Sequence, residues 1–387
     1  MSKTPHRRKP QSISASTSPA NPSIDSLPLH ALLSFALVAF TIELDNQFEQ
    51  RVPHRTTVGK SEGAQPDSPW LVSLPMYANF LRFIYGDEAL TISQFKQRAN
   101  LSREVTRMWL TRLSSWWGYI SVERSPTAAG PADWIIHLTR GGRRACETWQ
   151  TLLPEIEANW GQRFGGKLTS RLRQALLSVR GKIPGEFPEH LPILGYGFVA
   201  NFSPNQSHSV PANLEKLPLS ALLAQVLLAF ALDFEAASEL SLPLCANALR
   251  LLGENPLPIR GLHDMAGISK EAMKVSLGFL VRNSHASTGR APGTRGPAVR
   301  LTSKGLATRD LYQTRVKEIE ATWKKRFGSA SLVELRESLA DLVHDGSPSA
   351  SHLYQGLTPI PGNWRGPVKG LPWYPMVLHR GGYPDGA

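Results

Sequence analysis

Two short segments of this 387-residue chain carry the side chains best placed for chemistry. In the first, Arg103, Thr106, Arg107 and Thr111 project outward if Val105, Met108, Trp109 and Leu113 turn the other face of a helix inward. In the second, Lys270, Lys274 and Ser276 hold the outward places. Each segment follows a short helix and a tight turn: Ile92 to Ala99 with Asn100-Leu101-Ser102, and Ile259 to Ala266 with Gly267-Ile268-Ser269. Asn and Gly tolerate the left-handed backbone such a turn needs, and Ser caps the helix that follows. Cationic side chains in the first two turns of such a helix suit phosphate oxygens and base edges in a major groove. For one copy, a solvated basic face is an equally good reading. Two copies, each followed by the same hairpin, favour binding.

The hairpins add further cations. The first runs from Gly118 to Arg124, turns through a Pro/Gly/Ala stretch, and returns over Trp134 to Thr139. Its Arg124 has Glu123 and Asp133 for neighbours, so it is poor in net charge. The second carries Arg282, Arg290, Arg295 and Arg300, with Lys304 just beyond and no acidic residue between. Its tip, Thr288 to Gly296, is cationic, and an arginine there can enter a narrow minor groove. The two copies should therefore contribute unequally.

No catalytic alternative competes. The chain has no Gly-x-Ser-x-Gly elbow, no phosphate-binding Gly-Lys loop and no Cys-x-x-Cys pair. Its histidines are scattered, and no cofactor or metal is expected. His137 aligns with Arg300 and reads as a hairpin residue. Cys146 and Cys245 have no cysteine partners in the duplication, so they read as buried, inert thiols in a reducing cytoplasm. The formal charge of +12 and pI near 9.8 favour a polyanionic partner, nucleic acid before anionic membrane. The apolar run from Leu29 to Ile42 is too short to span a bilayer and contains His30 and Ser34, while its second copy contains Gln225 and Asp233. Both copies read as helices buried at an interface.

These elements sit in a duplication. Ile156 to Gly165 returns as Ile319 to Gly328, with seven of the ten positions identical. Leu27-Pro28-Leu29 returns as Leu217-Pro218-Leu219, Ser73-Leu74-Pro75 as Ser241-Leu242-Pro243, and Ala78-Asn79 as Ala246-Asn247. A repeat this long is a whole domain, and two similar domains suggest a covalent dimer with a pseudo-two-fold axis. The expected division is a disordered basic arm over 1–26, a first repeat over 27–200, a linker over 201–216, a second repeat over 217–356 and a Pro/Gly/Trp-rich strap over 357–387. A Pro/Gly-rich loop, about Gln50 to Leu71, is inserted in the first repeat only. Each repeat reads as helix, helix (Pro75 to Tyr85, Pro243 to Leu252), helix-turn-helix, β-hairpin and long helix. The long helices run to Phe164 and Phe327, with a further helical segment after each (Leu168 to Val179, Leu332 to Val343).

With Leu-Thr-x-x-Gly at each strand-to-helix junction (Leu138 to Gly142, Leu301 to Gly305), this order resembles the MarR-type winged helix-turn-helix regulators. The resemblance implies a mainly α fold with small β-wings: two tandem winged helix-turn-helix domains with long dimerisation-type helices about a pseudo-two-fold axis. It implies that Leu29 to Phe40 and Leu219 to Phe230 pack with the terminal helices, leaving the winged cores to bind double-stranded DNA about one helical turn apart. The expected function is a transcriptional regulator, a repressor by default, acting on an asymmetric or pseudo-palindromic operator. It would be non-enzymatic, cytoplasmic and nucleoid-associated, a monomeric pseudo-dimer or a homodimer, with room for a small-molecule effector and no membrane partner. Two alternatives remain open: a plasmid-type replication initiator with tandem winged helices, and a winged-helix module for protein assembly.

Overall fold

The computed structural model describes residues 26–52, 74–86, 89–115, 117–124, 127, 129–192, 213–290, 292, 296–343, 353, 357 and 370–377. They form a mainly helical protein with two small antiparallel sheets of three strands each. The first repeat contains α1 (Leu29–Arg51), α2 (Leu74–Asn79), β1 (Leu90–Thr91), α3 (Ile92–Arg98), α4 (Arg103–Ser115), β2 (Ile120–Glu123), β3 (Ile135–Leu138), α5 (Arg140–Phe164) and α6 (Gly166–Arg180). The second contains α7 (Leu219–Glu235), α8 (Leu242–Leu249), β4 (Leu257–Pro258), α9 (Leu262–Ala266), α10 (Lys270–Arg282), β5 (Ala286–Arg290), β6 (Pro297–Leu301), α11 (Ser303–Phe327) and α12 (Ser329–Val343). The strand orders β1-β3-β2 and β4-β6-β5 also match. The sequence duplication is thus a duplication of architecture. The basic arm, the inserted loop beyond Val52 and most of the linker and strap lie outside the described residues.

Several boundaries differ from expectation. Helix α9 begins at Leu262 rather than Ile259, because Pro258 pairs with Ala298 and the Ile259 amide donates to the Pro297 carbonyl. Helix α2 stops at Asn79 and a 3-10 turn over Leu81–Phe83 continues it, while α8 stops at Leu249. Helix α1 runs to Arg51, so its 20-residue window Leu29–Phe48 is long and apolar enough to cross a membrane by length and composition. That corrects the argument from length. What covers the helix here is protein, for 89% of the window is buried. Nor is its apolar face a stripe: Leu32, Leu33, Phe35, Ala36, Leu37, Val38, Ala39 and Phe40 are all buried, all round the helix.

The Leu-Thr-x-x-Gly junction has the same geometry twice. Thr139 Oγ1 accepts from the Gly142 amide at 3.1 Å and donates to the Gly118 carbonyl at 2.7 Å. Thr302 Oγ1 accepts from Gly305 at 3.1 Å and donates to Ser284 at 2.7 Å. One hydroxyl therefore caps the long helix and ties it to the start of the hairpin. Glycine is required because a Cβ at Gly142 would overlap the Tyr119 carbonyl, and one at Gly305 the His285 carbonyl.

The repeats join through α1 against α7 and α6 against α12, with α1 also on α12 and α6 on α7. The polar contacts are exchanged between repeats. Pro28 and Pro218 precede α1 and α7 and offer no side-chain cap. Glu320 of α11 instead accepts from the Leu29 amide at 2.7 Å, and Glu157 of α5 accepts from the Leu219 amide at 2.6 Å. A carboxylate at a helix N-terminus is favoured by both hydrogen bond and dipole. Arg336 holds Glu320 and donates to the Leu27 carbonyl at 2.8 Å, and Arg173 holds Glu157 and donates to the Leu217 carbonyl at 2.6 Å. Within each repeat, Trp160 donates to Glu43 and Trp323 to Asp233, with Arg163 and Arg326 on the same two carboxylates.

The polar residues that interrupt the apolar helices find partners in distant segments. Gln225 of α7 accepts from the buried Arg180 at 2.6 Å, and Arg180 also donates to the Ile183 and Gly185 carbonyls. Burial brings that guanidinium down to about 10. Ser34 donates to the Pro372 carbonyl at 2.6 Å. His30 Nε2 and the Tyr312 hydroxyl, from opposite repeats, lie 3.1 Å apart in a hydrogen bond, and burial holds the imidazole neutral with its pKa lowered to about 3.

Candidate nucleic-acid interface

Helices α4 and α10 follow their turns as the residue types require. Asn100 adopts φ of 50°, and Gly267 φ of 72°. Ser102 Oγ accepts from the Val105 amide at 3.3 Å, and Ser269 Oγ from the Ala272 amide at 3.0 Å. Trp109, Leu110 and Leu113 bury one face of α4, and Ala272, Met273, Leu277, Phe279 and Leu280 bury the same face of α10. Arg103, Arg107 and Thr111 are left exposed on the first helix, and Lys270, Lys274 and Arg282 on the second. Among the described residues none of these cations is in an ion pair.

Two expected site residues are not on this surface. Thr106 is 3% exposed and its hydroxyl donates back to the Ser102 carbonyl at 2.8 Å. Ser276 is fully buried and donates to Met376 Sδ at 3.6 Å. Both were placed outward by polarity. Both stand on the core face, Thr106 three and four residues before the buried Trp109 and Leu110, and Ser276 four and three residues after the buried Ala272 and Met273. In their place the exposed faces carry Glu104 and Glu271 at matched positions, and Val275 on α10. Glu104 and Glu271 stand three residues before Arg107 and Lys274, and Val275 four after Glu271, so helical spacing places them.

The hairpins stand beside these helices. The second is the longer, with β5 and β6 of five residues each in register from Ala286 opposite Leu301 to Arg290 opposite Pro297. Arg290 and Arg300 are exposed on it, while Ala298, Val299 and Leu301 anchor β6 in the core. Arg295 lies outside the described residues. In the first hairpin Arg124 is exposed at the end of β2, and Glu123 lies 3.3 Å from His137. A carboxylate already occupies this hairpin's own surface, as its composition suggested.

The two cysteines are structural. Cys146 and Cys245 are free and buried, and burial pushes the Cys146 thiol up to about 12 and Cys245 higher still. Neither is a nucleophile in that state. No cluster of three or more His, Cys, Asp or Glu that could hold a metal occurs among the described residues. No family model, curated protein or solved structure matches the chain.

Proposed function

We propose that the chain is a sequence-specific double-stranded DNA-binding transcriptional regulator, a repressor by default. It is built from two tandem winged helix-turn-helix repeats of MarR type that form a pseudo-dimer. The observation that carries this reading is the twofold occurrence of a capped helix with exposed cations (Arg103 and Arg107, Lys270 and Lys274) beside a hairpin with exposed arginines (Arg124, Arg290 and Arg300). Such a helix fits a major groove and such a hairpin the adjoining backbone or minor groove. The net charge of +12 supports a polyanionic partner. The two helices carry different side chains, so the site read is asymmetric.

Titration of duplex DNA against salt tests the reading. With six or more phosphate contacts, affinity should fall roughly a thousandfold between about 50 and 200 mM salt. Affinity that ignores salt would remove the DNA reading. Protection at a promoter favours a regulator, and repeated protected sites at an origin favour a replication initiator. One observation favours a second reading, a protein-contact module: Met265, Val275 and Val281 around α10 are 44%, 37% and 37% exposed. On DNA, Val275 would instead meet a thymine methyl.

A further inference from the structure

The two repeats fill the space behind their exposed basic helices differently. The stretches Leu74 to Arg82 and Leu242 to Arg250 align as LPMYANFLR and LPLCANALR, so Phe80 matches Ala248. The capped helices align Trp109 with Ser276. In the first repeat Phe80 stacks on Trp109, with ring centroids 4.2 Å apart and planes at 22°. In the second both partners are small, yet Ala248 and Ser276 are fully buried. Removal of two facing aromatics with nothing in return would leave a cavity that destabilises a domain severely.

The C-terminal segment covers this place. Leu371, Tyr374, Met376 and Val377 are buried, and Met376 Sδ takes the Ser276 hydroxyl hydrogen bond at 3.6 Å. Asn247 holds the segment at both edges of its amide: Nδ2 donates to the Tyr374 carbonyl at 2.7 Å, and Oδ1 accepts from the Trp373 amide at 2.7 Å. The Arg250 guanidinium lies 5.4 Å from the centroid of the Trp373 ring. Against the turn before α10 the fit is closest, for a Cβ on Gly267 would stand 2.8 Å from the Gly370 carbonyl oxygen. The first repeat has the beginning of the same arrangement. Asn79 donates to the Leu191 carbonyl at 2.9 Å, and Arg82 pairs with Glu189 at 2.9 Å.

We propose that residues 370–377 are a surrogate core for the second repeat, clamping the turn and α10 so that Lys270 and Lys274 are held in reading position. Asn247 and Met376 are positioning residues in this scheme. The second half-site is recognised only with the clamp seated, and the first does not depend on it. The DNA part rests on the function proposed above; the clamp does not.

Hydrogen exchange on the full-length protein separates the two. Met376→Asp strands a carboxylate in the apolar slot, and Asn247→Ala removes the grip with a smaller perturbation. Either should raise amide exchange in α10 about tenfold or more while α4 stays within about twofold. Footprints on a site bound by the wild type should shrink to the half under the first repeat. In a chain ending at Lys369, Ala248→Phe with Ser276→Trp should recover the protection of α10. Unchanged exchange in α10, an equal rise in α4, or no recovery would overturn the clamp. Protection that responds as expected in a protein that binds no DNA would leave the clamp standing and remove the DNA reading instead.

Discussion

The two repeats agree at the contacts that cap and pair their helices and differ on their exposed faces. Glu157 and Glu320, Arg173 and Arg336, and Trp160 and Trp323 make the same contacts twice, each pair exchanged between the repeats or repeated within its own. On the exposed faces the side chains part company: Arg103 and Arg107 against Lys270 and Lys274, and a hairpin bearing Glu123 against one bearing Arg290 and Arg300. An arginine can grip guanine at two points, whereas a lysine is a point charge with a hydrated head. On the proposed function, a scaffold that repeats its contacts beneath faces that differ is suited to a site whose halves differ. The second repeat has no aromatic pair at the matching positions, and the chain's C-terminal segment packs there instead.

If the scaffold is equivalent in both halves, its most constrained point should fail equally. Gly142→Ala and Gly305→Ala each drive a methyl into a backbone carbonyl that already accepts from Thr139 or Thr302. Neither carbonyl can swing away without breaking that bond and the junction. Each substitution should cost about 3 kcal/mol or more. Urea unfolding measures both, and a cost confined to one repeat would break the equivalence.

Acid should expose the next difference, since the strongly shifted histidines lie in the first repeat. His30 and His190 are both fully buried, with pKa values lowered to about 3, and the position matching His30 is Ser220. A folded-state pKa below the unfolded one means that the unfolded chain takes up the proton first. Stability is therefore whole above about pH 6.5 and falls as pH drops from there toward 3, by up to about 1.4 kcal/mol per pH unit for each histidine. Glu189, raised by burial, works in the opposite sense and adds stability as pH falls through its raised pKa. His30→Ser, which copies the second repeat, should remove one proton from the acid slope between pH 6 and pH 5, estimated as about 1.4 kcal/mol per unit. An unchanged slope would show that His30 is already charged or already wet.

Much of this organisation was legible beforehand, for reasons visible in particular residues. The starts and ends of α5 and α11 agree with the sequence because a capping Thr marks one end and Gly165 or Gly328 the other. The exposed cations at Arg103, Arg107, Lys270 and Lys274 were legible because four-residue spacing keeps a face. Thr106 and Ser276 were misplaced because polarity alone says nothing about a hydroxyl that finds its acceptor locally or in a distant segment. Strands β1 and β4 have two residues each, too few for alternation to register. The exchanged caps at Glu157 and Glu320 were hidden because their partners belong to the other repeat. Residues 370–377 were legible only as a folded-back strap, since irregular chain has no period and its target is set by tertiary packing alone.

On DNA the comparison predicts unequal losses. Lys270→Ala and Lys274→Ala should each weaken binding by about 1 to 3 kcal/mol, and Arg124→Ala on the acid-bearing first hairpin by well under about 1 kcal/mol. Fluorescence anisotropy at fixed salt distinguishes them. Equal losses would contradict an asymmetric reader.

The smallest effect tests how far the seam itself has diverged. Arg171 of α6 and Glu334 of α12 are matched positions, and they meet each other between the repeats. At a true two-fold axis a residue meets its own copy, so a homodimer of the first repeat would set arginine against arginine there. Glu337 and Asp341 join the same guanidinium at 3.0 and 2.8 Å, where the first repeat has Gln174 and Ser178 at the matching places. The side chains are 35% to 57% exposed, so screening keeps the network's worth small. Arg171→Ala should cost about 0.5 to 1 kcal/mol in low salt and less in high salt. Arg171→Glu should cost more, because it places a fourth carboxylate beside three. The double variant with Glu334→Arg should recover only part, since Glu337 and Asp341 still face the new glutamate. Full recovery would mean that only the axial pair matters, and a salt-independent loss would mean that packing rather than charge distinguishes the two halves of the seam.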